Sequence, residues 1–302
     1  MPHDHSHSHA HIDTGDRNMS AAVAANLGLS LAQIAGGFFA GSVALIADGV
    51  HNLSDAATLV LAFAARRIAR RPADAAMTFG YGRAEVVAAL INYTTLIVIS
   101  LWLAAEAVPR LIDPPGVAGW PVVILAALAL GVNTATALLT FRLAKDSLNI
   151  RAAFLHNAGD AATSLVVVVA GILILLYDWR LVDPLATLAI SGWMLWTSVH
   201  ELGPVIRILM LGAPPELAAA EVLTRIAAIE GVAGVHHLHL WQIDEHETSC
   251  EAHLVVAGEG AQISAKVRAM LQRDFGIDHA TFAVESVGAS CIGAPAIGHA
   301  IG

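Results

Sequence analysis

Apolar residues in this chain gather into long runs rather than alternating with polar ones. Six such runs lie at about 18–40, 43–65, 84–108, 119–141, 152–177 and 182–206. Each is near the ~20 residues that a helix needs to cross a bilayer. The pattern predicts an α-helical membrane protein with six transmembrane helices. After about residue 207 the pattern changes. Pro214-Pro215 breaks the chain, Glu216–Ile229 has helical spacing, and Gly231–Gly234 reads as a turn. Val235–Ile243 and Cys250–Val256 read as strands around the polar turn Asp244–Thr248. Ile263–Phe275 is again helical, and Ala280–Val287 reads as a third strand. This α-β-β-α-β order implies a small, open-faced α+β domain.

The ends of the chain differ from both parts. His3, His5, His7, His9 and His11 alternate with small or acidic residues, a pattern that cannot bury a core. The expected organisation is a His-rich disordered tail at 1–17 and a six-helix membrane domain at 18–208. An α+β domain at 209–288 and a flexible Gly/Ala-rich tail at 289–302 follow. The first residues are the opposite of the apolar core of a signal peptide, so no cleavable leader is expected.

Composition agrees with the apolar runs. The chain is 56% hydrophobic and 14% charged over 302 residues, where a soluble domain carries roughly 25% charged residues. The net charge of -9 and the lack of a basic stripe give no footing for nucleic acid. Two cysteines, Cys250 and Cys291, do not imply a disulfide framework.

Basic residues set the orientation. The segment after the second run holds Arg66, Arg67, Arg70, Arg71 and Arg83, and that after the fourth holds Arg142, Lys145 and Arg151. The other side offers Arg110 and Arg180. Both basic loops and both termini are therefore expected in the cytoplasm. Spans two and five then run antiparallel.

Those two spans carry the same pattern. It reads His51-Asn52-Leu53-Ser54-Asp55 and His156-Asn157-Ala158-Gly159-Asp160. On a helix, residues four apart share a face. Ionisable groups in lipid are expensive and mark function by default. As mere glue between helices they would need no matched copies in antiparallel spans, whereas inverted halves are a transporter pattern. If the spans pack, two imidazoles and two carboxylates converge. Four nitrogen and oxygen donors in a tetrahedron suit Zn²⁺, and Co²⁺ or Cd²⁺ fit the same set. Two carboxylates carry a charge of -2, which one divalent cation or two protons on the histidines can cancel. Metal and protons can then compete for one site. Asp48 lies three residues before His51, placed to act behind the ligands or at an entrance. Asn26 and Asn133 are expected to bond between helices.

Several stretches carry a resemblance to the cation diffusion facilitator family of zinc-efflux antiporters. Gly41–Asp55 resembles the family's second helix, Phe79–Glu85 the entry to its third, and Phe154–Asp160 its fifth. Val235–Trp241 resembles the first strand of its cytoplasmic domain. The resemblance runs from about 18 to 287. It implies a homodimer, a ferredoxin-like cytoplasmic domain, and proton-coupled efflux of Zn²⁺ with H⁺ as counter-ion. It places the transport site on His51, Asp55, His156 and Asp160, the His-Asp pair on the second helix marking zinc-type members. It also places a cytoplasmic metal site on His236, His253, His279 and Glu285, able to act as a zinc-responsive dimer contact. On an ideal strand His236 would share a face with Leu238 and Leu240, and His237 with His239 and Trp241. His237 and His246 read as surface residues. With Cys291 as the one cysteine near the C-terminus, no thiolate-rich second site is expected.

Other classes fit less well. An intramembrane metallopeptidase needs a motif such as HExxH, but His200-Glu201 is followed by Pro204 where the second His belongs. A channel needs weak binding at several sites along a pore, not one compact, charge-balanced site. The sequence therefore predicts a bacterial inner-membrane antiporter and not an enzyme.

Overall fold

A computed structural model of the chain describes residues 12–143, 148–288, 291 and 293–298. Six long helices come first: α1 (Ile12–Ala40), α2 (Val43–Ala69), α3 (Arg83–Ile112), α4 (Gly119–Leu143), α5 (Leu148–Tyr177) and α6 (Val182–Leu209). Then follow α7 (Ala219–Ala227), β1 (Val232–Gln242), β2 (Thr248–Val256), α8 (Gly260–Phe275) and β3 (His279–Ser286). Among the described residues, Arg83–Ile112, Gly119–Leu139 and Phe154–Tyr177 are long and apolar enough to cross a membrane. α2 is diluted by Asp48, His51 and Asp55.

The helix α1 starts at Ile12, inside the stretch 1–17 expected to be disordered. Once a helix is nucleated, each further residue adds a hydrogen bond at little cost, so a helix runs past its apolar segment. The five tail histidines lie outside the described residues.

The chain forms two compact units. One comprises Met1–Leu61 and Asn92–His200, the other Ala62–Ile91 and Glu201–Gly302. In the first, a buried cluster takes side chains from all six helices, including Ala40, Leu45, Leu103, Val122, Val167 and Met194. Large apolar side chains such as Phe38, Phe39 and Trp120 point outward. Small residues let the helices approach. A Cβ on Gly49 would lie 2.8 Å from Gln33 Cβ and 3.0 Å from the Ile34 nitrogen, so glycine brings α2 against α1. The start of α2 is doubly capped. Ser42 Oγ accepts the Leu45 N–H at 3.1 Å. Buried Asp183, from the first turn of α6, accepts the Ser42 hydroxyl and the Val43 N–H.

In the second unit, the sheet order is β1-β2-β3. β1 and β2 are antiparallel, and β2 and β3 are parallel. α7 and α8 cover one face, burying Val222, Ile226, Val267 and Leu271 against Leu238, Leu240, Ala252 and Leu254. α8 ends at Gly276, whose φ of +66° closes the helix in the left-handed conformation. β1 begins at Val232, within the expected turn. The α2–α3 connection belongs to this unit as well. Arg83 Nε donates to the Ile243 carbonyl at 2.8 Å and Nη2 to that of Gln242 at 3.3 Å. A Cβ on Gly82 would lie 2.4 Å from Asp244 Oδ2.

Candidate functional site

α2 and α5 bring the two copies of the repeated pattern together. His51 Nε2 lies 3.2 Å from Asp160 Oδ1 and 4.0 Å from Asp55 Oδ2. His156 Nε2 lies 3.7 Å from Asp55 Oδ2 and 3.6 Å from Asp160 Oδ2. Each imidazole thus faces both carboxylates. A tetrahedron of ~2.0–2.2 Å metal bonds has six edges of about 3.4 Å; the four imidazole–carboxylate distances lie near that value, and the donor atoms of His51, Asp55 and Asp160 all lie within 4.8 Å of one another. The site is one-sided. The Asp160 side chain is 9% exposed and that of His156 54%. Positions fall along α5 as they rise along α2, since Asp48 meets Ser164, His51 meets Asp160, and Asp55 meets His156. The two helices are antiparallel here, as the basic loops required.

Behind these four side chains lies a buried polar layer. Asp48 accepts Gln33 Nε2 at 2.5 Å, Ser164 Oγ at 3.1 Å and Thr163 Oγ1 at 3.3 Å. Asn52 Nδ2 donates to Gln33 Oε1 at 3.1 Å, and Asn133 Nδ2 to Ser164 Oγ at 3.4 Å and Asn52 Oδ1 at 3.5 Å. This network joins α1, α2, α4 and α5. Asn133 makes its interhelical bonds, whereas Asn26 offers its carbonyl to Ser30 within α1. Asp48 is completely buried, so it backs the site rather than opening it.

The second unit holds another cluster. His236 Nε2 lies 3.3 Å from Glu285 Oε2, and His253 Nδ1 lies 2.7 Å from Glu285 Oε1. Cys291 Sγ lies 3.5 Å from Glu285 Oε1 and 4.0 Å from His253 Nδ1. Donor atoms of the four residues all lie within 4.8 Å of one another. The His253 ring beside Glu285 holds its carboxylate below the usual range, and Glu285 in turn raises the Cys291 thiol. His236 is buried, and its Nε2 has no hydrogen-bond partner among the described residues. A nitrogen left in this state, beside a carboxylate, a second imidazole and a thiol, fits a metal ligand.

A β-bulge corrects the face expected for His236. β1 slips by one residue against β2 between His236 and His239, and His237 takes φ +52°. Val235 pairs with Leu254 and Leu240 with Cys250, all on the core face. The extra residue turns His236 away from Leu238 and Leu240 to sit directly opposite His253. The expected ligand His279 does not join the cluster. It opens β3 six residues before Glu285, about 20 Å along a strand, and its ring lies 5.9 Å from Phe79. His246 is exposed in the turn after β1, where Asp244 Oδ1 accepts its N–H. On the outer face of the sheet, His237, His239, Trp241, Glu251 and His253 line a cavity of about 410 Å³.

Comparison with known proteins covers most of the chain. The cation efflux transmembrane domain matches residues 19–210, and the cytoplasmic domain of cation efflux proteins matches residues 214–287. The chain belongs to the cation efflux family. This cation efflux protein is 34% identical over 266 residues to the cadmium, cobalt and zinc/H(+)-K(+) antiporter of Bacillus velezensis, covering 86% of this chain and 85% of that protein. It is 34% identical over 258 residues to the zinc transporter ZitB of Pectobacterium atrosepticum, covering 84% and 81%. A solved structure, the metal-bound C-terminal domain of the CzcD transporter from Cupriavidus metallidurans, matches 23% of the chain and 99% of its own at 29% identity, with a TM-score of 0.22.

Two groups of residues in this cation efflux protein escaped the sequence reading. Gln33, Thr163 and Ser164 looked like ordinary polar residues of helices. Ser164 follows Asp160 by four positions and so shares its face, which is the one signal it offered. Cys291 gave none, because it lies in the Gly/Ala-rich stretch 289–302 that reads as flexible tail.

Proposed function

We propose that this cation efflux protein exports Zn²⁺ from the cytoplasm in exchange for protons, by alternating access at His51, Asp55, His156 and Asp160. The observation that carries this reading is the alternation of two imidazoles and two carboxylates at 3.2–4.0 Å on antiparallel helices. Such a set holds one divalent cation at net charge zero. When the cation leaves, two protons on the imidazoles restore neutrality, so neither state leaves unbalanced charge in lipid. Cd²⁺ and Co²⁺ suit the same donors, in keeping with the cadmium, cobalt and zinc in the name of the Bacillus antiporter.

In this reading α1 to α6 all span a bacterial inner membrane, with both termini in the cytoplasm. The αββαβ domain is ferredoxin-like and forms the contact of a homodimer. His236, His253 and Glu285 hold a resident metal there, and its binding favours one arrangement of the dimer. The donor clusters, the family match and the basic loops together support these roles.

Purified protein in sealed vesicles tests the exchange. With a Zn²⁺ gradient imposed, the vesicle interior should change pH in the direction opposite to metal movement. Zn²⁺ flux with no accompanying proton flux would overturn the antiport reading in favour of a channel.

A further inference from the structure

The tail after β3 is not loose where it is described. The chain turns at Gly288, with φ +92°, and returns beside β1. His237 N–H donates to the Pro295 carbonyl at 3.0 Å, Leu238 N–H to that of Ala296 at 3.1 Å, and Gly298 N–H to that of Leu238 at 3.0 Å. Leu238 and Ile297 form a parallel bridge. The strap meets β1 at the bulge, where His237 and Leu238 lie between the register pairs of His236 with His253 and His239 with Glu251. One irregularity thus serves two contacts. It turns His236 toward His253, and it is where residues 295–298 dock.

Between β3 and this strap lies Cys291. Its N–H donates to Glu285 Oε2 at 3.2 Å and its thiol to Glu285 Oε1 at 3.5 Å. Against this stands the buried His236, 8% exposed, whose Nε2 faces Glu285 with no hydrogen bond among the described residues. That orphaned nitrogen and the thiol converge on the same carboxylate from the sheet and from the strap.

We infer that Cys291 is a thiolate ligand of the cytoplasmic metal site, completing a His₂-Glu-Cys set with His236, His253 and Glu285. The inference rests on the reading of this domain as metal-binding and names the ligand that the sequence assigned to His279. Metal binding replaces the Sγ–H bond with an Sγ–metal bond and releases the proton to water. A sulfur donor makes the site softer than the transport site and suited to Zn²⁺ or Cd²⁺ over Mg²⁺ or Mn²⁺. It also ties Cys291, and with it the strap at 295–298, to the sheet when metal is bound, so the strap reports occupancy.

The test uses the full chain carrying Asp55→Ala and Asp160→Ala, loaded with Co²⁺. A thiolate ligand gives a sulfur-to-cobalt charge-transfer band that nitrogen and oxygen donors do not. Cys250 is fully buried in the core, so Cys250→Ala should leave the band unchanged. Cys291→Ser should abolish the band and weaken cobalt binding at least tenfold. His236→Ala with His253→Ala should abolish it too. Cobalt bound with no such band, or a band that survives Cys291→Ser, overturns the inference. Loss of cobalt from the His236→Ala/His253→Ala chain without any band in its parent leaves the cytoplasmic site standing and removes Cys291 from it. Unchanged cobalt stoichiometry in that double variant overturns the site itself.

Discussion

Asp48 accepts a hydrogen bond from Ser164 at 3.1 Å, joining α2 to α5 one turn from the pair His51 and Asp160. His51 and Asp160 are therefore backed by a second bond between the same two helices. The two partners should differ in what their loss costs. Ser164→Ala leaves Asp48 with Gln33 and Thr163, and should destabilise the purified protein by about 1–3 kcal/mol. Asp48→Leu removes the shared acceptor of three donors and should cost more. Thermal unfolding in detergent ranks the two. A Ser164→Ala variant less stable than Asp48→Leu would show that the carboxylate does not organise this layer.

Asp55 and Asp160 each face both imidazoles. Replacing either with Ala removes half the negative charge and one donor, so a divalent cation no longer meets a neutral four-donor site. Asp55→Ala and Asp160→Ala should each reduce Zn²⁺ transport into vesicles to background while the protein elutes as a folded dimer. Wild-type flux from either purified variant would remove these carboxylates from the pathway.

The nitrogen share of the site should govern metal choice. His51→Asp converts a two-nitrogen, two-oxygen set into one with three oxygens. Harder cations such as Mn²⁺ prefer that set, and it carries one charge too many for a divalent ion alone. Zn²⁺ flux should fall more than Mn²⁺ flux in a competition assay. Equal loss of both metals would mean that geometry, not donor type, sets selectivity here.

The parts legible in the sequence were those with a period. Apolar runs gave the long helices, and residues four apart gave shared faces. The doubled His-Asn-x-x-Asp pattern gave the meeting of His51, Asp55, His156 and Asp160 on two antiparallel helices. What failed was what broke a period. The alternation rule put His236 with Leu238, and one extra residue in β1 reversed that. The Gly/Ala-rich tail has too few apolar side chains to suggest order, yet residues 295–298 are fixed by backbone bonds to the bulge, which leave no trace in composition. His279 was placed by resemblance alone, and the strand carries it to the far end from Glu285.

The two cysteines should separate under alkaline conditions. Cys250 pairs with Leu240 in the core of the second unit and has no exposed surface. Burial pushes its thiol up to about 12, with Glu251 adding to the effect. An unfolded cysteine ionises near ~8.5. A folded pKa raised above the unfolded one contributes stability that is complete below the lower value and lost as pH rises to the higher. Between about pH 9 and 12 the unfolded chain is short of one proton relative to the folded chain, so stability falls by up to ~1.4 kcal/mol per pH unit from this group. Urea unfolding followed by the fluorescence of Trp241 should show this slope, and Cys250→Ala should remove it. In the same window a thiol reagent should modify exposed Cys291 in the native protein and reach Cys250 after unfolding. Native labelling of both at equal rates would mean that the β1–β2 core opens as readily as the strap.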